Sequence, residues 1–231
     1  MATIDIPTLD GGASFTAWLA EPSGAPRGAI VVIQEIFGVN EGIRRKCGRW
    51  AELGYLALAP DLFWRLEAGV ELDPDVPDQF QQAIGLLQKF DQDKGIADIE
   101  ATIREARRRV DGGKVGCVGY CLGGRLAYLT AARTDVDASV GYYAVGLPNI
   151  LHEANAIARP LMLHIAGADH FVDEAQQRQI HDGLDHHPRV TLHDYPGEDH
   201  GFAAEMGQRR SEEAARLADA RTEGFFTEHL A

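Results

Sequence analysis

Apolar residues along this chain fall into two alternating rhythms. Ala29–Ile33 and Tyr55–Ala59 are unbroken apolar runs, the pattern of strands buried on both faces. Between them, Ile43–Leu53 repeats its apolar positions at helical spacing and stops against Gly54, a helix-ending residue. The same alternation continues downstream. Lys114–Gly119, Ala138–Tyr143, Pro160–Ile165 and Arg189–Tyr195 read as strands. Asp78–Phe90, Ile96–Val110, Leu122–Arg133, Asp173–Leu184 and roughly Gln208–His229 read as helices. Ser14–Leu19 alternates polar with apolar and predicts a half-solvated edge strand. The longest irregular stretch, Asp61–Pro77, holds Gly69, Pro74 and Pro77 and is expected to form a flap over the site. No repeat, low-complexity segment or linker interrupts the series. Strand and helix in alternation predict an α/β fold, a mostly parallel central sheet with helices on both faces, as one domain over residues 1–231. In such sheets the chemistry sits on loops at the carboxyl ends of strands.

Charge and composition narrow the function. The formal net charge of −13 argues against a nucleic-acid partner, which needs a basic surface to displace counterions. Arg104, Arg107, Arg108 and Arg109 alternate with Glu100 and Glu105 at helical spacing, as on a solvated helix face. Three cysteines make no disulfide framework and fit a reducing compartment. Met1–Gly12 has no basic stretch followed by an apolar one, and the apolar runs are too short for a bilayer. These features predict a cytoplasmic protein with no membrane contact.

One segment carries the chemistry. Gly119-Tyr120-Cys121-Leu122-Gly123 has the form G-x-nucleophile-x-G, between a predicted strand and a predicted helix. Glycines at 119 and 123 let strand and helix approach, and the Leu122 N–H then points toward a developing oxyanion at the helix start. Cys117, on the strand, reads as core packing, and Cys47 as a half-buried packing residue. A thiol nucleophile needs a base, and in this fold class the order along the chain is nucleophile, acid, histidine. Asp169 follows a predicted strand beside Gly167, and His200 lies in the last loop before the final helix. Of the nine histidines, His152, His181, His186, His187 and His229 read as surface residues, and His164 and His193 lie within strands. His170 follows Asp169 directly and could line the pocket. Asp173 is the alternative acid, equally legible as a helix N-cap. No metal site and no cofactor are expected. Adjacent His186 and His187 would point in different directions on a helix.

Together these residues resemble the dienelactone hydrolases (carboxymethylenebutenolidases). The resemblance rests on Ile33-Gln34-Glu35-Ile36-Phe37-Gly38-Val39-Asn40, Ala59-Pro60-Asp61-Leu62, Val115–Gly124, Gly141-Tyr142-Tyr143, Gly167–Val172 and His200-Gly201-Phe202-Ala203. It implies an α/β-hydrolase fold and a small ester or lactone as substrate. It implies roles for Cys121 as nucleophile, His200 as base and Asp169 as orienting acid. Glu35 would hold the resting thiol and assist its ionisation. The N–H groups of Ile36 and Leu122 would form the oxyanion hole, and Phe37, Phe80, Ile84, Tyr142 and Ala204 would line the pocket. The family further suggests a monomer.

The chain departs from the family where a substrate carboxylate would be held. Of the two arginines that members use, one position falls at Phe80 and the other at Ala204, and Ile84 replaces an expected phenol. An unpaired carboxylate there would be costly to bury. The expectation is a neutral substrate, or a new anion partner in Arg44 or Arg65. Acyl transfer by the same acyl-enzyme, a non-catalytic ligand-binding protein and a redox-sensing role for Cys121 are the other readings. A complete nucleophile–acid–base set argues against mere binding.

Overall fold

The computed structural model describes residues 1–230. Eight strands, β1 (Ala2–Pro7), β2 (Ser14–Ala20), β3 (Ala29–Ile33), β4 (Leu56–Pro60), β5 (Val115–Tyr120), β6 (Ala138–Tyr142), β7 (Leu161–Ala166) and β8 (Val190–Tyr195), form one sheet in the order β1-β2-β4-β3-β5-β6-β7-β8. From β4 to β8 every pairing is parallel, while β2 runs antiparallel to β4 and β1 to β2. The helices are α1 (Glu41–Glu52), α2 (Pro77–Lys89), α3 (Gln92–Arg109), α4 (Leu122–Arg133), α5 (Glu174–Leu184) and α6 (Glu212–His229). A 3₁₀ stretch, Leu147–Ala156, lies between β6 and β7.

Strand alternation distributes these helices over two faces. On β6, a side chain at Gly141 would press on the Gly124 carbonyl of α4, whereas its neighbour Tyr142 reaches Asp219 and Thr222 of α6. Helix α1 joins α6, through Arg49 on Asp219 at 2.6 Å and Trp50 edge-on to Phe226. With a cover on both sides, β3 and β5 are buried at every residue, which is why their sequence is uniformly apolar or small.

The sheet extends one strand further than the apolar pattern indicates. β1 is the true edge and β2 lies inside it, so Ser14–Ala20 is not an edge strand. β1 buries only Ile6 among otherwise solvent-facing residues, which leaves almost no apolar signal. The Asp61–Pro77 stretch is also not a free flap. Asp61 accepts from the backbone of Phe63 and Gly69, Leu72 N donates to Phe37 O at 2.9 Å, and the Asn40 amide donates to Leu72 O at 3.0 Å. These bonds tie it to the end of β3 and the start of α1.

Candidate active site

Because β3, β5, β7 and β8 are parallel, their carboxyl ends share one edge of the sheet. Glu35 stands two residues beyond β3, Cys121 one beyond β5, Asp169 three beyond β7 and His200 five beyond β8. The topology thus gathers four groups that are widely separated in sequence.

The turn at Cys121 has the form its glycines predict. Cys121 has φ 57° and ψ −114°, a left-handed conformation that is strained for a residue with a Cβ. Its N–H is held by Tyr142 O at 3.1 Å, and its carbonyl accepts from Gly124 N at 3.0 Å. A Cβ on Gly119 would fall 1.9 Å from Gly123 O, and one on Gly123 would fall 2.4 Å from Ile33 O. Both contacts are with backbone, so no side chain fits at either place. Leu122 is the first residue of α4, where an N–H has no partner within the helix and can face a negative charge.

His200 Nδ1 lies 2.8 Å from Asp169 Oδ2, and both side chains are almost wholly enclosed. Asp169 is braced in turn by Phe171 N, which donates to its Oδ1 at 2.9 Å. Burial alone would disfavour charge on His200. The facing Cys121 sulfur and then the Asp169 bond outweigh it and raise its pKa to about 10. Asp173, the alternative acid, caps α5 instead, accepting from Gln176 N at 2.9 Å.

Glu35 is half-buried at the end of β3, and its pKa is raised. Burial is the largest cause, and His200, Lys46, Tyr143 and Arg209 all act against it. The Tyr143 hydroxyl favours the carboxylate from nearby but falls short of a hydrogen bond, and it is buried with no partner. Gln34, the preceding residue, fixes this corner by accepting from Leu62 N at 3.0 Å.

The expected pocket residues separate into two groups. Phe37 and Phe80 meet with ring centroids 5.9 Å apart, Ala204 is buried, and Ile84 sits half-buried one turn from Phe80 on α2. Tyr142 does not belong with them. It is fully buried with its hydroxyl on Asp219 and Thr222, on the α6 face of the sheet. Tyr143 takes the place beside the site, 5.1 Å from the His200 ring, because its own φ of 35° turns the chain as β6 ends. Cys47 and Cys117 are fully buried, Cys47 more deeply than its sequence suggests, and burial raises the Cys117 thiol to about 12.

Neither proposed substitute for the missing arginines is free. Arg44 grips Glu71 with both terminal nitrogens, and Arg65 does the same to Asp98. Arg209 was not anticipated. Its stem packs on Gly201, beside His200, and its guanidinium lies 5.7 Å from the Phe80 ring centroid with no salt bridge to a carboxylate among the described residues. Asp199 also escaped notice, although it adjoins His200 in sequence. It binds His170 Nδ1 at 2.7 Å and accepts from the backbone N–H groups of His200 and His170. Asp169, His170 and Asp199 offer ligand atoms within 4.8 Å of one another, yet these bonds already engage all three. A groove of about 480 Å³ between β8 and α6 has a lining without Cys121, His200, Asp169 or Glu35.

A strand-to-helix turn presenting a strained cysteine, with a carboxylate–imidazole pair delivered by later strands, matches the α/β-hydrolase fold. The profile of the dienelactone hydrolase family matches residues 15–230, and the chain belongs to that family. It is 44% identical to a candidate carboxymethylenebutenolidase of Azospirillum brasilense, with both chains fully covered. It is 41% identical to the carboxymethylenebutenolidase of Pseudomonas putida, over 96% of this chain and 94% of that one. The crystal structure of a candidate dienelactone hydrolase from Klebsiella pneumoniae subsp. pneumoniae MGH 78578 superimposes with a TM-score of 0.83. It is 27% identical, over 99% of this chain and 100% of the other. The chain is accordingly an ester or lactone hydrolase. Among the described residues no helix is long and apolar enough to cross a membrane.

Proposed function

We propose that the chain opens a small ester or lactone through a Cys121–His200–Asp169 triad and an acyl-thioester on Cys121. The observation that carries this reading is the 2.8 Å His200–Asp169 bond facing a cysteine at the strand-to-helix turn. The Cys121 sulfur adds to the carbonyl carbon, and the oxyanion is received by the Leu122 and Ile36 N–H groups. The C–O bond breaks, and His200 returns the thiol proton to the leaving oxygen. Water, deprotonated by His200, then cleaves the thioester and restores the thiol. Asp169 orients the imidazole, and the Glu35 carboxylate holds the resting thiol and assists its ionisation, the proton passing to His200. The enzyme works as a cytoplasmic monomer without a cofactor.

The wall formed by Phe37, Phe80, Ile84 and Ala204 favours a neutral acyl group, and Arg209, over the Phe80 ring, is a cation poised to hold a substrate anion at that side. Initial rates on p-nitrophenyl acetate and on a dienelactone, for wild type, Cys121→Ala and Arg209→Met, test both points. Cys121→Ala should lose at least about a thousandfold in kcat on each substrate while staying folded. Full activity in that variant would sink the triad. A KM raised by Arg209→Met on the dienelactone alone would assign the anion to Arg209. An unchanged KM, with p-nitrophenyl acetate the better substrate, would leave the neutral reading standing.

A further inference from the structure

The chemistry above leaves one buried cation unused. Lys46 lies on the apolar stripe of α1 with Ile43, Cys47 and Trp50, and only 5% of its surface is exposed. An apolar side chain there would avoid the desolvation that a buried ammonium incurs. Instead its Nζ donates to Ala203 O at 2.9 Å, lies 3.6 Å from Glu205 Oε1 and sits 4.2 Å from the Tyr120 ring centroid. Ala203 is three residues after His200, and Tyr120 immediately precedes Cys121. A single ammonium therefore joins the loop that carries the imidazole to the strand that carries the thiol.

We propose that Lys46 is a positioning residue for the hydrolase site, holding the His200 loop against the Cys121 strand and setting a positive charge toward the Glu35 carboxylate. The inference rests on the Cys121–His200–Asp169 reading of the preceding section. The groups facing Lys46 are Glu35 from the end of β3, Glu205 and Arg210 from the base loop, Asp219 from α6 and the Tyr120 ring from β5. Those acting on Glu35 are His200, Lys46, Tyr143 and Arg209. Of these cations Lys46 is the buried one, its pKa lowered by that burial against the pull of Asp219, Glu205 and Glu35, whereas Arg209 is exposed and His200 changes charge during the reaction. Asp219 has Arg49 and Glu205 has Arg210 as further partners, so neither carboxylate is orphaned when Lys46 is neutralised.

Two variants separate the mechanical role from the electrostatic one. Lys46→Met removes donor and charge, and Lys46→Gln keeps an N–H donor for Ala203 O but removes the charge. Both are compared with wild type and Cys121→Ala by kcat, KM and pH–rate profile on p-nitrophenyl acetate. The pH dependence of iodoacetamide alkylation at Cys121 reports thiol ionisation independently of turnover. Lys46→Met should lose about tenfold in kcat with KM within about twofold of wild type. Its acid limb should move to higher pH by about half a unit or more, because the ionised carboxylate has lost a neighbouring cation. Lys46→Gln should recover much of kcat yet keep the displaced limb. Near-ultraviolet circular dichroism establishes folding, and if the Met variant does not fold the Gln variant carries the test. Wild-type kcat and limb in either folded variant would overturn the proposal, as would a kcat loss with an unmoved limb. Full activity in Cys121→Ala would instead overturn the triad reading, whatever the Lys46 variants do.

Discussion

One oxygen of Asp199 receives three hydrogen bonds, from His200 N at 2.6 Å, His170 N at 3.1 Å and His170 Nδ1 at 2.7 Å. His170 follows Asp169 in sequence and Asp199 precedes His200, so this carboxylate clasps the Asp169 loop to the His200 loop. Desolvation works against its charge, but the His170 ring and the two N–H groups prevail and hold its pKa at about 2. A depressed carboxylate contributes stability above its unfolded pKa, here 3.8, and loses it as pH falls toward 2. The contribution is small, because the side chain is more than half exposed. In the neutral range the group therefore acts by geometry. Asp199→Ala is expected to lower kcat about tenfold, equivalent to about 1.4 kcal/mol, with KM little changed. Asp199→Asn, which still accepts both backbone bonds, should keep most of the activity. The acid limb of its pH–rate profile should not move between about pH 5 and 8, since Asp199 does not titrate there. Equal losses in the Ala and Asn variants would show that the charge matters rather than the clasp.

At the scale of elements, the turn between β5 and α4 works because two backbones touch. A Cβ on Gly119 would sit 1.9 Å from Gly123 O, and neither partner can yield without moving the strand or the helix. Gly85, within α2, would meet nothing within 4 Å. The same substitution should therefore have opposite signs at the two places. Gly119→Ala is expected to destabilise by about 3 kcal/mol or more and to abolish activity. Gly85→Ala should stabilise by about 0.5–1 kcal/mol through helix propensity and a less flexible unfolded chain. Urea denaturation of both variants measures the difference, and equal midpoints would refute the contact argument. The contrast also marks what the sequence made legible. β3 and the Cys121 turn were readable because burial on both faces and backbone contact leave few residue types permitted. β1 was not, since an edge strand with one buried residue has no such constraint. Tyr143 was missed for its neighbour Tyr142 because a positive φ at the strand end breaks the period-two alternation by which side chains are assigned to faces. Lys46 carried a usable signal, a charged residue on the apolar stripe of α1, whereas Arg209 is placed by tertiary packing alone.

Across the whole molecule, the three cysteines report on the fold in different ways. Cys47, on α1, packs in the core and Cys117 lies on a central strand. Both are fully buried, and Cys117 donates to Ser139 Oγ at 3.2 Å. Burial raises both thiols, Cys117 to about 12 and Cys47 further still, so neither forms a thiolate at neutral pH. Cys121 is enclosed but not sealed, 8% exposed at the sheet edge where the loops converge. A disulfide-exchange reagent added to the native protein should therefore titrate one thiol rapidly, and that fast phase should be missing in Cys121→Ala. The other two sit in layers that separate only when the sheet loses its helices, so they should react together, at the rate of global opening. Urea below the midpoint should accelerate this slow phase without changing the fast one, and full unfolding should release all three thiols at once. If Cys117 instead reacted well ahead of Cys47, the β5 layer would open on its own. The strand that leads into Cys121 would then be less rigid than its contacts on both faces imply.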